Sequence, residues 1–403
     1  VLLCTVSVAQ QLQVTGYIKQ LATFTTVNQS FLASFADDPL RKPLLELFPK
    51  QSQDYQIHNR INVQWYGKAG FSGGLGMRNR LFWGFTPKNY AQNKDIYALL
   101  GVQSFAGLVD FDTYLNLGIN WLESENAVLY SVFDRLWLQW ENEKVRIRLG
   151  KQRINWGINA AFNPNDLFNQ YNFFDFDYEE RPGVDALAVQ YYINPYSSIE
   201  MAYAPARDSL RQSVGAMLYR LNKWGYDWQV LAGYFKHDVV LGVGWAGNIG
   251  NAGFKGEVSY FMPLQPLLSA QNMVASTTVD YSFKNGIYVM AGYIFNQDGV
   301  ADASFENQIG LAGAQLSAKN LLPYKHTVMI TGGYNVTPLF RFDLSWLQTP
   351  DLANTVAVPS LTYALRANLD LLLLGQIYLA HHPQTDQLGF FSSAIFTRIK
   401  FSF

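Results

Sequence analysis

The sequence predicts an all-β fold, a closed antiparallel transmembrane β-barrel, and three observations carry that prediction. Hydrophobic residues fill 49% of the 403 positions and charged residues only 15%. No run beyond the N-terminus reaches the roughly 18 consecutive apolar residues that a spanning helix needs. Apolar and polar residues alternate one by one through segments bounded by Gly, Asn, Asp or Pro, the period of a strand that separates two environments. In hydrocarbon every backbone N–H and C=O has to be satisfied within the protein, so strands cross a bilayer only as a closed sheet.

Taken in order, residues 1–9 are an apolar run ending in Ser7-Val8-Ala9, the expected remnant of a secretory signal peptide. The alternative is a buried N-terminal strand. Cys4 is the only cysteine, which leaves no disulfide framework. Residues 10–403 are then a single barrel.

Ile57, Asn59, Ile61, Val63 and Trp65 alternate with His58, Arg60, Asn62 and Gln64. Phe111, Thr113, Leu115, Leu117, Ile119 and Trp121 repeat the pattern against Asp112, Asn116 and Asn120. Further strands are expected at residues 145–149, 184–192, 214–220, 228–234, 254–260, 275–283, 287–295 and 328–334. Phe340, Phe342, Leu344 and Trp346 alternate with Arg341, Asp343 and Ser345. Leu361, Tyr363, Leu365, Ala367 and Leu369 alternate with Arg366, Asn368 and Asp370. The polar set Arg341, Asp343, Arg366 and Asp370 is therefore assigned to a lumen-facing wall, and Leu365 to lipid.

Lys284-Asn285-Gly286, the stretch around Asn222 and Gly225, and residues 335–338 read as hairpin connections. The long irregular stretches, 28–54, 86–106 and 156–182, are expected as outer loops or segments folded into the lumen. At about 22 residues per strand and connection the mature chain makes about 16 or 18 strands. Trp65, Trp83, Trp121, Trp140 and Trp346 stand where interfacial aromatic belts would put them.

The densest polar feature begins with Arg146 and Arg148 on one parity. Lys151 and Arg153 take the other, so a bulge or the strand's end is expected at Gly150. Asp175, Asp177, Glu179, Glu180 and Arg181 follow. Basic and acidic groups separated by such a loop suit opposite sides of a constriction with a transverse field, or simply pair with one another in a wet lumen. Asn159, Asn163, Asn165, Asn169 and Asn172 read as turn formers.

Residues 389–403 alternate Phe391, Ile395, Ile399, Phe401 and Phe403 with Ser392, Arg398, Lys400 and Ser402. A strand ending so resembles the C-terminal assembly signal of Gram-negative outer-membrane barrels, which assigns Phe401 and Phe403 to recognition by the barrel assembly machinery. The string Arg148-Leu149-Gly150-Lys151-Gln152-Arg153-Ile154-Asn155-Trp156-Gly157, with Asn163-Pro164-Asn165-Asp166 and Arg181-Pro182-Gly183-Val184-Asp185, resembles porin-like barrels that include those of Bacteroidota. That resemblance implies a multi-pass protein of the cell outer membrane, in contact with its lipid and lipopolysaccharide and conducting small hydrophilic solutes.

With 30 basic and 31 acidic residues there is no global electrostatic case for nucleic acid. The sequence carries no phosphate-cradling or HExxH motif, and the five histidines, His58, His237, His326, His381 and His382, lack neighbouring ligands. No metal, cofactor or catalytic group is expected. The leading function is a passive porin-like channel. An accessory barrel that binds a protein or polysaccharide partner, and a lipid-modifying enzyme, are the alternatives.

Overall fold

The computed structural model describes residues 11–33, 45, 47–99, 102–109, 113–168, 181–265, 270–300, 317–322, 324–349, 354–382 and 387–403. The expected signal remnant at 1–9 lies outside them, as do Phe111, Asp112, Asn169, Asn172, Asp175, Asp177, Glu179 and Glu180.

Alternation and tight turns produce a meander. Its strands are β1 (Gln11–Val27), β2 (Gln51–Tyr66), β3 (Phe71–Gly84), β4 (Gly118–Glu123), β5 (Ala127–Glu141), β6 (Val145–Gln152), β7 (Val184–Asn194), β8 (Ser197–Ala204), β9 (Val214–Lys223) and β10 (Tyr226–Phe235). They continue as β11 (Asp238–Ile249), β12 (Ala252–Pro263), β13 (Asn272–Ser282), β14 (Tyr288–Asn296), β15 (His326–Thr337), β16 (Phe340–Thr349), β17 (Asn354–Arg366), β18 (Leu369–His381) and β19 (Leu388–Ser402). Each pairs antiparallel with the next, except that β3 pairs directly with β5 and leaves the short β4 beside the ring. Eighteen strands therefore close the barrel, the larger of the two expected numbers. Closure joins β19 to β1 from Tyr17↔Ser402 to Val27↔Ser392. Beyond that register, Gly16 N–H donates to the Phe403 carbonyl at 2.8 Å and Phe403 N–H to the Gly16 carbonyl at 2.9 Å.

The two rims differ. On one, the connections are short, as between β9 and β10, where Trp224 and Gly225 both take positive φ, 57° and 76°, the primed-turn geometry that matches strand twist. On the other rim the long connections gather. Residues 51–54 of the first expected loop belong to β2, and the expected 86–106 loop holds three helices, α2 (Phe85–Gln92), α3 (Lys94–Leu99) and α4 (Phe105–Val109). The stretch after β1 opens with α1 (Gln29–Ala33). Tyr90 and Phe105 pack on Val128, Tyr130 and Val132 of β5, so this helical group lies inside the barrel.

The outward parity is apolar and exposed, with Ile57 and Ile61 on β2, Leu136 and Leu138 on β5, Phe342, Leu344 and Trp346 on β16, and Ile395, Ile399 and Phe401 on β19. Trp65 and Trp140 sit beside the short-turn rim and Trp83 at the opposite end of β3.

The expected strand at 111–121 is shorter than its alternation suggested: β4 starts at Gly118, and residues 113–117 are irregular. Its pairing with β5 slips between Asn120 and Leu122, which re-aims Trp121. Trp121 Nε1 then donates to Ser131 Oγ at 2.9 Å, Ser131 to Asn79 at 2.6 Å, Asn79 to Asn59 at 3.2 Å, and Asn59 to the Tyr17 carbonyl at 3.2 Å. Polar residues on the outward parity thus satisfy one another, as a hydrocarbon-facing surface requires.

Candidate functional site

The lumen has two unlike sides. Residues 153–168, between β6 and β7, turn inward rather than out. Ile154, Trp156, Leu167 and Phe168 pack on inward side chains of β7 to β13, among them Leu218, Leu231, Val240, Phe261 and Val274. Phe162 continues the contact to Met290, Ile294, Met329, Leu347 and Val356 on β14 to β17. This inner segment therefore lines the β7–β17 side.

The other side, from β19 through β1, β2, β3 and β5 to β6, is cationic. Inward parity places Lys400, Lys19, His58 and Arg80 directly opposite one another across four strands. One step along, Arg60 stands opposite Arg78. Lys19 and Arg60 are each 1% exposed. Directly opposed like charges about 5 Å apart destabilise a sheet, so packing alone does not call for this row. Lys400 lies 4.9 Å and Lys19 5.3 Å from the Tyr17 ring centroid, cation–π contacts that moderate the repulsion.

Among the described residues, a bulge supplies one counter-charge. Pairing of β3 with β5 slips between Gly76 and Met77, so Asp134 has no partner in the ladder and β5 changes parity there. Asp134 and Arg135 consequently both face inward. Asp134 Oδ2 lies 2.7 Å from Arg60 Nη1, 3.3 Å from Arg78 Nε and 3.6 Å from Arg135 Nη1. One carboxylate thus holds three guanidiniums in register. Arg135 also donates to the Arg181 carbonyl and Arg80 to the Val109 carbonyl. The inner helices cover the far end of this wall, where burial pushes the Tyr97 hydroxyl above its ordinary value.

Of the residues singled out in the sequence, Arg146 and Arg148 face the lumen on β6 opposite the exposed Ile147 and Leu149. Arg148 stacks 4.2 Å over Trp137 and donates to Gln139 at 2.8 Å. Gly150 is neither a bulge nor a strand end, because pairing runs unbroken to Lys151 and Gln152. Its φ of 115° breaks the alternation instead, and both following side chains are buried. Lys151 donates to Thr113 Oγ1 at 2.6 Å and the Leu115 carbonyl at 2.9 Å and sits 3.7 Å from Asp185. Arg153 is exposed. Arg181 pairs with Asp166, so this cation is anchored to the inner segment, whereas the expected acidic row at 175–180 lies outside the described residues.

Arg341 and Asp343 do lie on the inward parity and pair with each other, Nε to Oδ2 at 2.8 Å and Nη2 to Oδ1 at 2.6 Å. Asp370 faces inward opposite Lys400 and extends the charged row. Arg366 is the last residue of β17, exposed at the hairpin end rather than on the lumen wall, because the β17–β18 pairing slips between Ala364 and Arg366. Phe401 and Phe403 face outward, and the Phe403 ring covers Gly16, its Cζ 2.7 Å from where a Cβ on that residue would be.

The residues not singled out include Lys19, Arg78, Arg80, Asp134, Arg135 and Glu257. A signal for part of the row existed. Arg60 and Arg78, like His58 and Arg80, stand at equal steps on either side of Ala69 in the β2–β3 turn, which fixes them as cross-strand pairs.

No family model and no curated protein matches the sequence. Solved structures match the fold. OccK8 (OprE) of Pseudomonas aeruginosa superposes with a TM-score of 0.57 at 10% identity, over 97% of this chain and 98% of that one. OccK5 (OpdH) of the same organism gives 0.56 at 7% identity over 97% and 98%. OccAB4 of Acinetobacter baumannii gives 0.55 at 8% identity over the same shares, 97% and 98%. The chain is thus similar in fold, along nearly its whole length, to the Occ barrels of Pseudomonas and Acinetobacter.

Proposed function

We propose that the protein is a porin-like channel of the outer membrane that lets small hydrophilic solutes diffuse passively and favours anions. The observation that carries this reading is the inward row Lys400–Lys19–His58–Arg80 with the Arg60–Arg78 pair beside it. Like charges set opposite one another cost stability. They create a positive field along one wall, and low-dielectric surroundings strengthen its hold on a passing anion. The barrels it resembles in fold are outer-membrane porins, which supports the passive class without naming a solute.

On this reading the outward apolar band meets outer-membrane lipid and lipopolysaccharide, and the Phe401 and Phe403 strand is what the assembly machinery engages. An origin in Bacteroidota rests on the sequence strings alone. The lumen wall adds Arg146, Arg148, Arg341, Asp343 and Asp370 to the row, while Arg181 acts through Asp166 on the inner segment.

The test is the zero-current potential of purified protein in a planar bilayer under a KCl gradient. An anion-selective potential that falls towards neutrality in Arg60→Ala and Arg78→Ala is expected. Cation selectivity would overturn the anion preference, and absence of any conductance in folded protein would favour the accessory-barrel alternative, in which the inner segment closes the lumen.

A further inference from the structure

The inner segment does not merely rest in the lumen; it sits in a fitted seat. On three adjacent strands Gly244, Glu257 and Ser276 stand directly opposite one another, and one step along so do Gly242, Ser259 and Val274. The two glycines leave the space the segment takes. A Cβ on Gly242 would lie 2.4 Å from Asn165 Oδ1, and one on Gly244 3.0 Å from Ile158 Cγ2.

The polar members of the seat meet the segment's backbone and asparagines. Glu257 is 0% exposed. Its Oε1 accepts the N–H of Ile158 and of Asn159, the latter at 2.9 Å, and its Oε2 accepts the N–H of Asn165 at 2.9 Å. Ser259 donates to Asn165 Oδ1 at 2.7 Å, and Thr278 to Asn159 Oδ1 at 2.5 Å. Asn159 donates to Ser276 at 2.8 Å, and Ser276 to the Phe162 carbonyl at 2.7 Å. A buried carboxylate is tolerated only when its lone pairs are used. Here they are used on two points of the same segment, which fixes both its position and its curvature.

We infer that Glu257 is the positioning residue that sets the bore of the channel, by clamping residues 158–165 against β11 to β13. The inference rests on the channel reading. An amide in place of the carboxylate keeps the volume but has one acceptor oxygen. Its NH2 would then face either the Asn165 N–H or the Ile158 and Asn159 pair, donor against donor. The clamp is lost at one end and the segment lifts from its seat.

Two readouts test this in Glu257→Gln, each on protein shown by heat-modifiable migration to be folded. In planar bilayers the mean conductance and the current noise should both rise severalfold, and larger sugars should become permeant. Independently of conduction, Val274→Cys in a Cys4→Ser background, 0% exposed beneath the segment, should be protected from a small water-soluble thiol reagent with Glu257 present and reactive with Glu257→Gln. Gly242→Ala should act in the same direction through its clash with Asn165, and provides the second variant if Glu257→Gln fails to fold. A Val274→Cys thiol that stays protected in both variants would overturn the inference. If the thiol becomes reactive but neither parent nor variant conducts, the clamp stands and the channel reading fails, and the bore inference falls with it.

Discussion

At the scale of single residues, Asp134 contributes most to the cationic wall. It is the residue that the β5 bulge sets outside the ladder, and Arg60, Arg78 and Arg135 converge on it. Asp134→Asn keeps the shape and removes the negative charge on which the three guanidiniums converge. Removing one partner of a buried ion pair costs about 3 kcal/mol or more, and a loss of that order is expected in denaturant unfolding of the detergent-folded barrel. Unchanged stability would mean that Asp134 does not neutralise the cluster. The inward parity of Arg60, Arg341 and Asp343 was legible from alternation. The significance of Asp134 was not: the adjacent polar pair Asp134-Arg135 shifts the outward apolar positions from Phe133 to Leu136, but which of the two stands outside the ladder, and what it meets, shows only against the partner strand.

Among the elements, β17 and β18 show what alternation reads well and what it misses. It places Leu365 outward correctly, yet Leu365 stands one residue from the hairpin end, so its depth in the bilayer is near the interface. Leu373 on β18, outward and opposite Leu361 and Thr397, lies farther from that rim. Leu373→Arg should cost about 2 to 4 kcal/mol and Leu365→Arg about 0 to 1, since the penalty for a lipid-facing cation falls with distance from the midplane. Equal penalties, measured by unfolding in lipid vesicles, would contradict this placement. The long strands were legible because each alternates over its own length. The inner segment was legible only as one of two options, an outer loop or a piece folded into the lumen, because its seat is spread over Gly242, Gly244, Glu257, Ser259, Ser276 and Thr278, on three strands far from it in sequence. β4 was overextended because Thr113, Leu115 and Leu117 continue an alternation that the backbone of residues 113–117 does not follow.

For the whole molecule, near-neutral overall charge hides a strong internal separation, since formal net charge is −1 while the β19–β6 wall collects Lys400, Lys19, Arg60, Arg78 and Arg80. Anion selectivity is therefore expected to weaken as ionic strength rises, with the Debye length falling to about 3 Å at 1 M salt. Selectivity that is independent of salt would place its origin in size rather than field. Deleting Phe403 should lower the yield of folded, heat-modifiable protein in cells, by removing both the aromatic cover over Gly16 and the ladder partner that Gly16 uses. Because Gly16 and Phe403 lie side by side in that ladder, the wall is a ring whose point of opening is arbitrary. A circular permutant that joins residue 403 to residue 11 through a short linker and opens the ring between Trp224 and Gly225 would keep every other strand pairing while moving the Phe401–Phe403 strand into the interior of the sequence. Such a chain should still refold in detergent, and should fail to accumulate in the outer membrane if the cell's assembly factors read that strand at the chain end. The permutant thereby separates the information that makes a stable cylinder from the information that delivers it to its membrane.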